Sequence, residues 1–144
     1  MIYTNEEPFA IGKAKIVKQS PKDQVLIIEA GVTLYEGLTA ANELEKKGVH
    51  ARVIDLFTIK PLDTAAIIQN AQACGGRIVV VEDHYPEGGI GEAVKSAVAE
   101  QRNIVVKHLA VPTVPRSGPP TVLLDVFGIS APHIVTVVDQ ILKL

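Results

Sequence analysis

Arg77-Ile78-Val79-Val80-Val81-Glu82-Asp83-His84-Tyr85-Pro86-Glu87-Gly88-Gly89-Ile90-Gly91-Glu92 sets an uninterrupted apolar run against a polar, glycine-rich loop. Ile and Val without polar alternation read as a strand covered on both faces, the strand type of a parallel sheet. The loop leads into a helix expected from about Ile90 to Glu100. In open parallel sheets, ligands collect in the crevice beyond the carboxyl ends of the strands, and a glycine-rich turn there lets backbone approach another group closely. This loop is therefore either a reaction centre or a contact surface.

The pattern repeats outward from it. Val25-Leu26-Ile27-Ile28 is an earlier apolar strand. Thr33 and Glu36 have capping-box spacing and open a helix to about Lys47, with Leu34, Leu38, Ala41 and Leu44 on one face and Gly48 as its stop. Ala51–Phe57 reads as a strand, and Pro61 with Asp63 introduces a helix through Ile67, Ile68 and Ala71. Ile104–Val111 is a fourth parallel strand. It enters Pro112–Pro120, too proline-rich for regular structure. Thr121–Phe127 forms a short helix, and Ser130 is the expected N-cap of a last helix through Ile134, Val137, Val138, Ile141 and Leu142. Before the series, Ala14–Lys18 alternates like a half-exposed edge strand, which Ser20-Pro21-Lys22-Asp23 would turn antiparallel onto Val25–Ile28. The expected fold class is α/β: three layers, α/β/α, around a mostly parallel five-stranded sheet with one antiparallel edge strand. Residues 1–12 read as an extended lead-in and residues 13–144 as a single domain.

At 144 residues one hydrophobic core is expected. A net charge of −2 argues against a polyanion-binding surface, so nucleic acid is not an expected partner. The one adjacent basic pair, Lys46-Lys47, falls at a helix end where the backbone dipole favours cations. No uninterrupted apolar stretch of about 18 residues and no cationic leader stands out, so neither a membrane span nor a secretory signal is expected. Cys74 is the only cysteine. An internal disulfide is thereby excluded, a reducing compartment fits, and the position before Gly75-Gly76 at a helix end argues for a packing role.

Gly88-Gly89-Ile90-Gly91 lacks the G-x-G-x-x-G spacing of a dinucleotide site, and no phosphate-loop motif occurs. Glu87 and Glu92 would weaken anion attraction at the following helix start, so the glycines read as a tight turn with close packing. Glu82, Asp83 and His84 carry acid–base groups, yet adjacent side chains at a strand end point to opposite sides, so at most Glu82 and His84 share a face. His50, His108 and His133 lie in separate segments without metal-ligand spacing. Arg116, on the stiff proline loop, is either an anion contact or the partner of a local carboxylate. The candidates for interface or anion contact are thus Glu82, Asp83, His84, Gly88, Gly89, Gly91 and Arg116. No catalytic, cofactor-binding or metal-ligating residue is expected.

Phe57-Thr58-Ile59-Lys60-Pro61-Leu62-Asp63, the stretch from Val81 to Val94, His108-Leu109-Ala110-Val111, Val114-Pro115-Arg116-Ser117-Gly118 and Gly31-Val32-Thr33-Leu34 together closely resemble the C-terminal, third domain of animal-type transketolases. The resemblance covers nearly the whole chain. It implies an enzyme of the pentose phosphate pathway that moves a two-carbon ketol unit from a ketose phosphate to an aldose phosphate. Such enzymes are cytoplasmic homodimers and use thiamine diphosphate with a divalent metal, Mg or Ca. It also implies that the diphosphate-binding Gly-Asp-Gly segment and the glutamate activating the cofactor lie in the two preceding domains. No Gly-Asp-Gly occurs here, so no catalytic residue carries over and this domain alone is expected to bind no cofactor. Its implied partners are the remaining transketolase domains and a second copy, with sugar phosphates reached only through the full enzyme. One alternative is a regulatory module holding a phosphorylated metabolite or nucleotide beside His84, Gly89 and Arg116. Another is the matching domain of a 2-oxoacid dehydrogenase β subunit. Two residues depart from the family pattern: Glu29 stands where a small residue is usual, placing a charge near a strand end, and Leu56 replaces a proline.

Overall fold

Val25–Glu29 is buried at every position, as a strand must be when both its edges are paired and both its faces covered. The computed structural model describes residues 2–144. Met1, the first residue of the expected lead-in, lies outside the described residues. The elements run β1 (Lys15–Lys18), β2 (Val25–Glu29), α1 (Thr33–Lys46), β3 (Ala51–Asp55), α2 (Thr64–Ala73), β4 (Arg77–Val81), α3 (Ile90–Val98), β5 (Val105–Leu109), α4 (Pro120–Val126) and α5 (Ala131–Ile141). The sheet order is β1-β3-β2-β4-β5, with β2 parallel to both β3 and β4, β4 parallel to β5, and β1 antiparallel.

The pleat of the central strands divides the interior in two. Val25, Ile27, Val53, Val79 and Val81 face α1 and α5, where Leu34, Leu44, Ile134, Val138 and Ile141 complete one core. Leu26, Ile28, Ile54, Ile78 and Val80 face α2 and α3, against Ile67, Ala71, Val94 and Val98. This is the three-layer α/β/α arrangement read from the sequence. Chain order reverses between β2 and β4. The chain leaves β2 for one face through α1 and leaves β4 for the other through α3, which opens a crevice at these strand ends.

Three local expectations are corrected. β1 pairs with β3, not with Val25–Ile28. Both edges of β2 are taken by parallel partners, and the Asp23 side chain holds the intervening turn through Ser20 and reaches Arg52 on β3 at 3.0 Å. Thr33 and Glu36 form no capping box. The Thr33 hydroxyl is shared between the carbonyls of Ala30 and Val81 at 2.9 and 3.1 Å, and Glu36 accepts from Ala131 N at 2.8 Å. Ser130 does stand at the N-cap of α5, but its hydroxyl donates to Asp125 and lies 2.9 Å from His133 Nδ1, while Glu36 caps the helix across space. In addition, Pro120–Ile141 is more apolar than the sequence reading allowed, with a mean hydropathy of 1.7 over an 18-residue window. It is two helices separated by a turn, and α5 packs into the core.

The described part of the lead-in packs back onto the domain. Tyr3 donates to Asp55 Oδ2 at 2.7 Å, Phe9 stacks edge-on against Tyr3 and Phe57, and Lys15, paired with Glu7, lies over the Phe9 ring. Asp63 caps α2 as expected through Ala66 N, and its second oxygen accepts from Ala14 N at 3.1 Å, tying the start of the domain to α2. Asp63→Ala removes both bonds and is expected to lower the unfolding free energy by about 2 kcal/mol in urea titration, whereas Asp63→Asn keeps a single acceptor, sets its NH2 against the other amide and should recover only part of that loss.

Candidate functional site

β4 ends at Val81, and the next side chain turns inward. Glu82 is buried. Its Oε2 accepts from Ile90 N at 2.6 Å and its Oε1 from Gly91 N at 2.9 Å, so a carboxylate from the strand end occupies the amino terminus of α3. Unpaired amides and the helix dipole make that position attractive to an anion, and here the chain supplies the anion itself.

The same Oε1 lies 2.6 Å from Nε2 of His108 on β5. Lys95 Nζ lies 3.0 Å from His108 Nδ1. An ammonium only donates, so Nδ1 accepts and Nε2 carries the proton given to Glu82. The partners assign this tautomer. A continuous path therefore runs from the exposed Lys95 through His108 and Glu82 into the first amides of α3.

Close approach explains two of the loop glycines. A Cβ at position 89 would collide with the Glu82 carboxylate, and one at position 91 with the His108 ring. The packing reading of the glycines thereby acquires named partners. Gly88 N donates to Glu92 Oε2 at 2.6 Å, which folds the loop back on its own helix. Asp83 is exposed. His84 is exposed as well, with its Nδ1 3.0 Å from the Tyr85 carbonyl, and its own carbonyl accepts from Val111 N. Arg116 lies on the wall of a groove of about 680 Å³ formed by residues 112–114 and 116–119 together with Val122, Leu123, Val126 and Phe127.

The imidazole beside Glu82 is thus His108, not His84. Sequence reading missed it because the pair lies 26 residues apart and only strand pairing sets Val80 of β4 against His108 of β5. The available signal was period two, which places Val106 and His108 on one face of β5. Cys74 is fully buried at the end of α2, and burial raises its thiol pKa to about 11, which suits packing and not nucleophilic attack. Among the described residues, no group of three or more His, Cys, Asp or Glu is placed to hold a metal ion.

Fold and site together define an open-sheet α/β/α domain whose strand-end loop is closed by its own carboxylate. The family model described as transketolase, C-terminal domain, matches residues 12–134, and the chain belongs to that family. It is 58% identical over 142 residues to transketolase-like protein 1 of Bos taurus, covering 99% of this chain and 24% of that protein. It is 57% identical over 129 residues to transketolase of Homo sapiens, covering 90% and 21%. Among solved structures, a split-gene transketolase described as an inactive β4 tetramer superimposes with a TM-score of 0.91 at 31% identity, over 100% of this chain and 46% of that one. The chain thus spans about a quarter of the length of the relatives it matches.

Thiamine diphosphate, which the family implies, does not fit the strand-end loop. The backbone donors that a diphosphate would need are bonded to Glu82, whose charge would repel it. Gly91→Ala is expected to cost about 1–3 kcal/mol by forcing the His108 ring aside. The cost should shrink in a His108→Ala background. An equal cost in both backgrounds, measured by urea unfolding, would show that the ring is not the obstacle.

Proposed function

We propose that this chain is the third domain of a cytoplasmic, thiamine-diphosphate-dependent transketolase that transfers a two-carbon ketol unit between sugar phosphates in the pentose phosphate pathway. In that enzyme the domain is non-catalytic and serves assembly, packing against the remaining domains and against a second copy in a homodimer. The observation that carries this reading is the occupation of the first two amides of α3, Ile90 N and Gly91 N, by Glu82, which puts a negative charge where an anionic cofactor would otherwise bind. The thiamine diphosphate and the divalent metal, Mg or Ca, belong in this reading to the other domains.

Exposed apolar surface supports the assembly role. Val114, Val122 and Val126 are 80%, 52% and 69% exposed, and all three line the groove around the proline loop. Apolar side chains gathered on one rim favour a protein contact over a sugar phosphate. Family membership favours transketolase over the 2-oxoacid dehydrogenase alternative. The apolar rim of the groove that Arg116 lines favours a protein contact over the regulatory alternative.

Calorimetry of the 144-residue chain with thiamine diphosphate and Mg should give no binding heat, and xylulose 5-phosphate should not be turned over. Tight cofactor binding or turnover would overturn the reading. Val122→Asp with Val126→Asp changes only exposed positions, so the melting temperature should hold while association with the other transketolase domains weakens, as sedimentation would show.

A further inference from the structure

Glu29 ends β2 on the face covered by α1, and its side chain is wholly buried. Neither carboxylate oxygen has a hydrogen-bond partner. Its register partner on β3 is Asp55, whose Oδ1 is likewise unpartnered and whose Oδ2 accepts from Tyr3. α1 sets Gly37 directly against the Glu29 carboxyl group, where a Cβ would collide with both oxygens. Glycine is a poor residue for a helix interior, and at this position the space it frees is occupied by the Glu29 head group.

The groups around Glu29 are mostly acidic. Glu36 faces it from α1 and Asp55 from β3. The lead-in contributes Tyr3 and Glu7, and β1 contributes Lys15; these act on Asp55 or its Tyr3 partner, and Lys15 is itself paired with Glu7. β4 presents the apolar Val81 on this face. Among the described residues, no cation lies within ion-pair distance of Glu29. The one donor near it, the Gly37 amide, makes no hydrogen bond of ordinary geometry to either oxygen, and a packed interior without a cation holds a carboxylic acid far more easily than a carboxylate.

We propose that Glu29 is a proton-operated latch between β2 and α1: as a neutral acid it fills the space beneath Gly37, and on ionising it is driven out, loosening the first turns of α1. Burial, then the nearby Glu36 charge, push its pKa well above 4.5, against an opposing contribution from the Gly37 backbone and with a further upward push from Asp55. The sign follows from proton binding. A raised folded-state value means that the folded chain holds a proton the unfolded chain has lost, so the stability is fully present below pH 4.5 and is lost as pH climbs through the raised value. Within that window, one extra bound proton lowers the folding constant by about tenfold per pH unit. Asp55, also raised by burial, contributes in the same direction above pH 3.8, whereas Tyr3, raised by burial and by Asp55, does so only above pH 10.0. Comparison with a Glu29 variant therefore isolates the latch.

Urea unfolding of the 144-residue chain from pH 5 to pH 9 tests this against Glu29→Gln, a neutral side chain of similar shape. The wild-type folding constant should fall more steeply with pH than that of the variant, by about tenfold per unit inside the window. Parallel curves would overturn the proposal. Hydrogen exchange supplies a second readout: protection of the amides of Thr33–Gly37 should fall with pH in the wild type beyond the intrinsic rate, and should not in Glu29→Gln. Equal protection in both would also overturn it. Should Glu29→Gln fail to fold, Glu29→Gly combined with Gly37→Ala replaces it in both comparisons. In that background Gly37→Ala should be tolerated, whereas alone it should destabilise the chain; equal cost in the two would show that Gly37 does not make room for Glu29.

Discussion

The carboxylate of Glu82 at the amino terminus of α3 is the contact on which the strand-end region depends. It joins three elements: the residue after β4 supplies the carboxylate, α3 the amides and β5, 26 residues further along, the imidazole. Each participant constrains another. Gly89 is small because the carboxylate lies against it, and Gly91 because the His108 ring does. Losing the acceptor would leave amides and an imidazole donor buried without partners, which costs more than a hydrogen bond at the surface. The helix start that the loop leads into already holds an anion, the chain's own Glu82.

Two glutamates end neighbouring strands and live under opposite rules. Glu82, after β4, meets three donors; Glu29, at the end of β2, meets none. Where the following helix meets each strand end produces this contrast. α3 starts directly over β4 and offers its free amides there, whereas the carboxyl group of Glu29 meets α1 near Gly37, within the helix. The departure from the family pattern at position 29 therefore does place an acid at a strand end, but in the interior and beneath a residue small enough to admit it.

Much of the architecture was legible from apolar runs. β2, β3 and β4 fall on the runs Val25–Ile28, Ala51–Phe57 and Ile78–Val81 because a parallel sheet buries both faces of its inner strands, a demand written residue by residue, while β5, within Ile104–Val111, is an edge strand with Val105 and Lys107 exposed. The Asp63 cap was legible for the same reason: the carboxylate and the amide it accepts from are three residues apart. Thr33, Glu36 and Ser130 had equally plausible local partners, yet each turned to something else. For Thr33 and Glu36 the partner is remote and buried, Val81 O and Ala131 N, which would otherwise lack this bond, whereas Ser130 stays local, on the exposed Asp125.

Sequence alone therefore determined the layers, the parallel strands, the family and the packing role of the loop glycines, since these follow from periodicity, from short-range geometry or from long motifs in fixed order. Tertiary structure decided which edge β1 takes, which histidine meets Glu82, and that Glu29 is buried without a partner. All three depend on pairs brought together by strand order. Strand order is set by how the crossovers pack over the whole sheet, so no window of neighbouring residues contains it.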